Sequence, residues 1–528
     1  MLGLFCGAFW TFVSLAPMQS AADEFVFSNA AEPETLDPHR MSGSYDSNIA
    51  NQIFEGLMSR GPDWATVVPG QAETYSVSRD GKTYTFRLRP QLKWSDGSPL
   101  TARDFEYSLL RLMDPATASP YAYWFTETVE GAREFAKDPK AEMRSKVKVK
   151  AVDDRTLSIT LSKPVPYFLQ LLAETPAFPV KQAIVEKHKD GWIRPEHMVS
   201  NGPFKLTEWK VNDRIVMQKN PHYYGAEKVR LTRAVALPIV DKQTAVNLFR
   251  QGRLDWSGPQ GAPHGLVPAY RADPYFRVHP AFISYFYRIN VSRPVLKDVR
   301  VRQALSLAIN RLELVERVTR GGELVANVYV PPKIGDAKSV ETLVGIDPKQ
   351  NALRAKQLLS EAGYPGGKGF PVLELLYNTD ETHKRVALAI QQMWKKELGI
   401  EVRLFNQEWK VYLKKQQMLD FDLSRAGWAG DYPDPSTFLE IFLANSGNNQ
   451  TGWKNADYDR LFDEANAQMN HQKRLEMMTK AESLLLKDSP IIPLFFYTNF
   501  GFLRPEVQGF EPNLIDRPFL KYISKQGS

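Results

Sequence analysis

The chain reads as an α/β protein of two or three lobes, and three observations predict it. Its 528 residues exceed the size at which a single hydrophobic core stops growing. Hydrophobic residues make up 43% and charged residues 24%, the balance of a folded chain without disordered bulk. From about residue 351, stretches of period two alternate with stretches of helical period, and strand-helix-strand-helix-strand calls for right-handed crossovers and a parallel sheet.

The elements follow in order. Residues 2 to 17 are almost wholly apolar, and Ser20 and Ala22 suit a signal peptidase site, so residues 1–22 are expected to be a signal peptide that exports the chain to the periplasm. No Lys or Arg precedes the run, and about 16 apolar or small residues are few for a bilayer span. The single cysteine, Cys6, lies in it; the exported chain then has no thiol and needs no disulfide. Glu24 to Ser28 reads as a strand, Ser47 to Leu57 as a helix, and Asp80-Gly81 as a hairpin turn before the alternating Thr83 to Leu88. Thr101 and Asp104 form a capping box for a helix carrying Phe105 and Leu109, and Leu157 to Leu161 is another strand. Further on come a helix at Leu353 to Ala362, a strand at Val372 to Tyr377, a helix at Thr382 to Leu398, a strand at Ile400 to Leu404 and a helix at Trp409 to Met418. The third strand, Phe421 to Ala426, leads into Gly427-Trp428-Ala429-Gly430-Asp431. Asp434 with Pro435 opens a helix, Leu461 to Leu486 reads as one long helix, and Ile491 to Tyr497 as a late apolar strand.

The stretch from Phe421 to Pro435 organises the rest. A strand delivers a backbone of little bulk to a loop that carries Arg425, Trp428 and Asp431, beyond the carboxyl end of the strand where ligands of α/β proteins collect. The residues alone leave two readings: a ligand site, or a turn opened by Asp431 before Pro433 with Arg425 a solvated charge.

Several function classes fit poorly. The net charge is +7, but Lys and Arg are interleaved with Asp and Glu, and no basic block dense enough for nucleic acid occurs. Neither Gly-x-Ser-x-Gly nor His-Glu-x-x-His is present, so no catalytic residue is expected and the chain is not read as an enzyme. The eight histidines include no close helical pair, which disfavours a metal or haem carrier; no cofactor or metal is expected.

An ordered set of motifs then carries a resemblance: Thr35-Leu36-Asp37-Pro38-His39, Phe54-Glu55-Gly56-Leu57, Lys93-Trp94-Ser95-Asp96-Gly97, Ala118-Ser119-Pro120-Tyr121, Asn201-Gly202-Pro203-Phe204, Asn406-Gln407-Glu408-Trp409 and Arg425-Ala426-Gly427-Trp428 with Asp431. Over essentially the whole exported chain the sequence resembles the periplasmic oligopeptide-binding proteins, the extracellular solute-binding family of peptide ABC transporters. The resemblance implies two α/β lobes that close on the ligand in the manner of a flytrap, with an inserted domain. Carried onto this chain, lobe one is 23–56, 178–282 and 497–528, the inserted domain 57–177 and lobe two 283–496. It implies a short peptide as ligand, an inner-membrane ABC permease as partner, and action as a monomer. Asp431 would pair with the peptide's ammonium, and Arg425 would meet its carboxyl end or balance Asp431; His383 matches a position near that end. Gly427, Trp428 and Ala429, with Ser42 to Ser44 from lobe one, would offer main-chain groups to the guest as an added strand does. Tyr121, Trp409, Tyr285 and Tyr287 would line side-chain pockets. A murein peptide, a dipeptide or another cationic solute is the alternative guest on the same fold. The chain departs from some relatives in having Gln416 where they place a second arginine.

Overall fold

The computed structural model describes residues 23–41, 43–332, 334–335, 338–345 and 347–526, without the side chains of residues 409 and 410. The expected signal peptide with Cys6, and Ser42, lie outside the described residues.

The largest sheet has six strands in the order Leu324–Val325, Ile491–Phe502, Phe276–Ile289, Leu423–Ala429, Leu373–Asn378 and Val402–Gln407. Leu373–Asn378 runs parallel to both of its neighbours, the arrangement expected from the alternation after residue 351. The sheet as a whole is mixed, because Leu423–Ala429 is antiparallel to Phe276–Ile289 on its other side. Helices Glu381–Leu398 and Trp409–Gln417 make the crossovers, and Pro348–Glu361 leads into the first of the parallel strands. Their ends follow local chemistry: Asp380 accepts the His383 N–H at 2.9 Å at one end of Glu381–Leu398, and Gly399 at φ +69° closes the other. Trp394, Val386 and Ile390, all at 0% exposure, pack this layer onto the sheet.

Two four-stranded sheets complete the framework. One orders Glu24–Ser28, Arg233–Leu237, Arg214–Lys219 and Phe204–Lys210; its core gathers Phe25, Phe27 and Trp192. The other is antiparallel, Ala72–Val77, Thr83–Leu88, Thr156–Thr160 and Val149–Asp153, and packs on Trp94 and Phe105. The Asp80-Gly81 hairpin joins its first two strands, and Asp104 accepts the Thr101 N–H at 2.8 Å at the start of helix Ala102–Met113.

Two long strands link these regions. Phe276–Ile289 and Ile491–Phe502 pair from Phe276 opposite Phe502 to Arg288 opposite Ile491, with register shifts between Pro280 and Ser284 and between Tyr285 and Phe286. The chain crossings expected at 282/283 and 496/497 fall inside this ribbon.

One expected element divides. Leu461 to Leu486 is two helices, Ala456–Ala467 and His471–Asp488, and Asn470 caps the second by accepting the Lys473 N–H at 3.0 Å. Apolar spacing continues through the break, which hides it.

The turn after the loop of Asp431 is held from the second of these helices. Asp434 accepts the Ser436 N–H at 2.9 Å and takes both terminal nitrogens of Arg474 at 2.6 and 2.8 Å, and Arg474 is 1% exposed. Arg474→Met leaves a buried carboxylate unpaired, so urea unfolding should show a loss of about 3–5 kcal/mol. A loss below about 1 kcal/mol, the value of a surface pair, would contradict this role.

Candidate functional site: an open strand edge ending at an unpaired carboxylate

Phe421 and Leu423 anchor the central strand in the core at 1% and 0% exposure. Beyond them the strand parts from its parallel neighbour, for Leu375 opposite Leu423 and Leu376 opposite Ser424 are the only two pairs that it makes with Leu373–Asn378. From Arg425 to Ala429 its far edge is therefore open. Which groups it presents follows from antiparallel alternation. Gly430 N–H donates to the Phe282 carbonyl at 3.1 Å, which turns the peptide groups of 424, 426, 428 and 430 toward the strand Phe276–Ile289 and those of 425, 427 and 429 outward. The Arg425 carbonyl is already taken by the Tyr412 hydroxyl at 2.5 Å and the Gln416 amide at 2.9 Å. The peptide groups of Gly427 and Ala429 are left to pair with something else.

Two positions along this segment require glycine. A Cβ on Gly430 would stand 1.9 Å from the Phe282 ring, and one on Gly427 would crowd the Arg425 guanidinium at 3.3 Å. Gln416 is 2% exposed and also donates to Ser424 Oγ at 2.8 Å; it braces the strand.

At the strand's end Ala429, Gly430 and Asp431 line a cavity of about 520 Å³ together with Ser44, Tyr121, Trp124, Glu174 and Arg517. Thr437 Oγ1 accepts the Asp431 N–H at 3.0 Å and fixes the loop. Among the described residues the Asp431 carboxylate accepts no hydrogen bond. Burial, with Glu174 nearby, pushes its pKa up to about 6. Glu440 behind it is pushed up to about 7 by burial, Asp431 and Asp434. Glu174 is paired with Arg60 at 2.5 Å. The site thus holds a carboxylate that is costly to ionise and, among the described residues, forms no ion pair.

A second cluster sits toward the other end of the open edge. Arg425 is 9% exposed, lies over the Tyr285 ring at 4.8 Å and donates to the Tyr497 hydroxyl at 2.7 Å. Burial opposes its charge, but the hydroxyls of Tyr497, Tyr285 and Tyr412 outweigh that and raise its pKa above the ordinary value. His383 stands against it, its pKa pushed down to about 4 by burial and by Arg425. At neutral pH this corner offers one cation, Arg425, beside a neutral imidazole.

The structure therefore brings Asp431, Ala429, Tyr121 and Ser44 to one cavity, and Arg425 and His383 to a second cluster, with Gly427 between them on the strand. Trp428 belongs to the loop's support, its indole N–H donating to the Thr437 carbonyl at 2.8 Å. Two expected pocket residues need correction: Tyr285 and Tyr287 are both at 0% exposure, packed between neighbouring strands, and Tyr285 stacks on Phe495 at 4.3 Å. As placed they form the floor under Arg425. Trp409 begins the helix Trp409–Gln417, and its indole lies outside the described side chains. The expectation missed Glu174, Tyr497 and Arg517, none of which lies in a motif. Among the described residues no cluster of His, Cys, Asp and Glu is placed to hold a metal.

A bare strand edge and an unpaired carboxylate between lobes of α/β structure define a binding protein of the two-lobed type. The chain belongs to the bacterial extracellular solute-binding proteins of family 5: the model described as "Bacterial extracellular solute-binding proteins, family 5 Middle" matches residues 66–450. It is 39% identical to the periplasmic oligopeptide-binding protein OppA of Escherichia coli K12, over 94% of this chain and 91% of that one. Among solved structures it superposes on the murein tripeptide binding protein MppA in its unliganded open form with a TM-score of 0.85, at 33% identity, covering 96% and 98% of the two chains. Against Haemophilus influenzae OppA in complex with RPPGFSPFR the TM-score is 0.74 at the same identity, covering 96% and 100%. The whole-chain match is thus better to the open form than to the peptide complex.

The raised pKa has a consequence for stability. The folded state holds the Asp431 proton more tightly than the unfolded chain, so the penalty is absent below about pH 4 and complete above about pH 6. Asp431→Asn should therefore stabilise the ligand-free protein by about 1–2 kcal/mol at pH 7.5, allowing for partial exposure, and by nothing near pH 4. Urea unfolding at the two pH values checks it; a gain that is independent of pH would contradict it.

Proposed function

We propose that this chain is the substrate-binding component of an ABC transporter, which captures short peptides in the periplasm and hands them to an inner-membrane permease, and that it does so as a monomer without chemical change to the guest. The observation that carries this reading is the open edge at Gly427 and Ala429 ending at the partnerless Asp431 carboxylate. A peptide lying along that edge runs antiparallel to Leu423–Ala429. Its main chain completes the sheet, its ammonium neutralises Asp431, and its carboxyl end advances toward Arg425. Main-chain pairing of this kind does not read side chains, which suits a carrier of many sequences.

In this reading lobe one comprises 23–56, 178–282 and 497–528, the inserted domain 57–177, and lobe two 283–496. The ribbon of Phe276–Ile289 and Ile491–Phe502 is the hinge, bending where its register shifts at Pro280 to Ser284. The relatives named for peptide binding, and the likeness to an unliganded open form, support this reading. Among the described residues no helix is long and apolar enough to cross a membrane.

Calorimetry on ligand-stripped protein tests the assignment. Asp431→Ala should weaken binding of tri- and tetrapeptides by about 2–5 kcal/mol, the range for removing one partner of a desolvated charge pair. N-acetylated peptides should lose a similar amount with the wild type. Unchanged affinity in either experiment would remove Asp431 from the site.

A further inference from the structure

Two charged side chains face the cavity without a partner, and they have opposite sign. One is Asp431. The other is Arg517, in the C-terminal segment, whose backbone is clamped by Asn513: the Arg517 N–H donates to Asn513 Oδ1 at 3.0 Å, and Asn513 Nδ2 donates to the Arg517 carbonyl at 2.8 Å. Among the described residues its guanidinium donates no hydrogen bond and forms no ion pair. The carboxylate in its neighbourhood is bonded to another arginine through one of its oxygens. Glu174 Oε1 takes Arg60 through Nη2 at 2.5 Å and Nε at 3.0 Å, and Arg60 is tied further to the Gln170 carbonyl at 3.1 Å. Asp431 and Arg517 do not neutralise each other either, for no ion pair joins them.

A guanidinium half withdrawn from water with all five N–H donors unspent is a receptor for a carboxylate. Burial lowers its pKa from the usual arginine value against the pull of Glu174, so the group gains from any further anion brought to it. The place of that anion along the guest follows from the shared cavity. Arg517 and Asp431 flank Tyr121, whose hydroxyl feels the charge of both, whereas the Arg425 corner lies elsewhere. An extended guest whose ammonium meets Asp431 advances about 3.3 Å per residue, so its third residue is already roughly 7 Å on, alongside Ala429, where the strand leaves the cavity lining.

We propose that Arg517 is a specificity-determining residue that binds a side-chain carboxylate on the first or second residue of the guest, giving the cleft a preference for peptides that are acidic there. This rests on the peptide reading above and deepens it: the main chain of the cleft accepts many sequences, and Arg517 ranks them.

Calorimetry with matched tetrapeptides tests it on ligand-stripped protein. Glu-Ala-Ala-Ala against Gln-Ala-Ala-Ala, and Ala-Glu-Ala-Ala against Ala-Gln-Ala-Ala, compare charge at constant shape, and Ala-Ala-Glu-Ala against Ala-Ala-Gln-Ala provides the control. The wild type should favour Glu over Gln by about tenfold or more at one of the first two positions, the worth of a charge-assisted pair, and show no such preference at the third. Arg517→Gln should bring that ratio close to one, and Arg517→Lys should keep part of it. Equal affinity for Glu and Gln peptides in the wild type overturns the proposal and leaves the peptide reading standing, and this comparison needs no variant to fold. A preference that survives Arg517→Gln, or that is as large at the third position, also overturns it. A wild type that binds none of the six peptides overturns both readings together.

Discussion

The structure depends on a carboxylate that the fold buries and then leaves alone. Asp431 sits where burial raises its pKa to about 6, with Glu174 adding to the cost of its charge and Glu440 close behind. Among the described residues no cation pairs with it. The surroundings are nonetheless built to hold it in place: Thr437 fixes its backbone, Gly430 lets the loop pass over Phe282, and the Asp434 to Arg474 pair ties down the turn that follows. A buried charge left uncompensated stores binding energy that an arriving cation would release. The partner that would release it is an ammonium, because an ammonium also fits a strand edge whose free peptide groups end at the same point.

The geometry divides recognition into two parts. Gly427 and Ala429 offer peptide groups that any polypeptide can match, and their smallness keeps side chains from interfering. In the proposed function the charged groups set direction: Asp431 at one end of the edge and Arg425 at the other would impose a polarity on the guest. His383, held neutral beside Arg425, leaves that corner with a single positive charge. Arg517 adds a third charge off the line of the main chain, where only a side chain would reach it.

Much of this was legible in the sequence, and what was not has physical causes. The strands and helices from 351 to 429 followed from alternating periods, because each strand of that region is short, apolar and bounded by Gly or Pro. The resemblance supplied Asp431, Arg425 and the two-lobed plan. Tyr285 and Tyr287 stand on one face of their strand, in the core shared with the helix Glu381–Leu398, and alternation by itself does not say whether a packed layer or a ligand covers that face. The split of Leu461 to Leu486 was hidden because apolar spacing runs through Met469, although Asn470 carried a capping signal. Glu174 and Arg517 come from segments far apart in the chain, without periodicity or motif, and meet only through the tertiary fold. Gln416 was noted as a departure, but its bracing of Ser424 and Arg425 requires the packed strand to be seen.

The most direct measurement is the proton balance of binding. Titrating a tetrapeptide into ligand-stripped protein at pH 5 and pH 7.5, each in two buffers of different ionisation enthalpy, counts the protons exchanged. A carboxylate that must ionise to meet an ammonium releases close to one proton at pH 5 and almost none at pH 7.5, and affinity falls by up to about tenfold per pH unit below 6. Binding with no proton released at pH 5, and with affinity unchanged between the two conditions, would show that the guest's amino end is satisfied elsewhere.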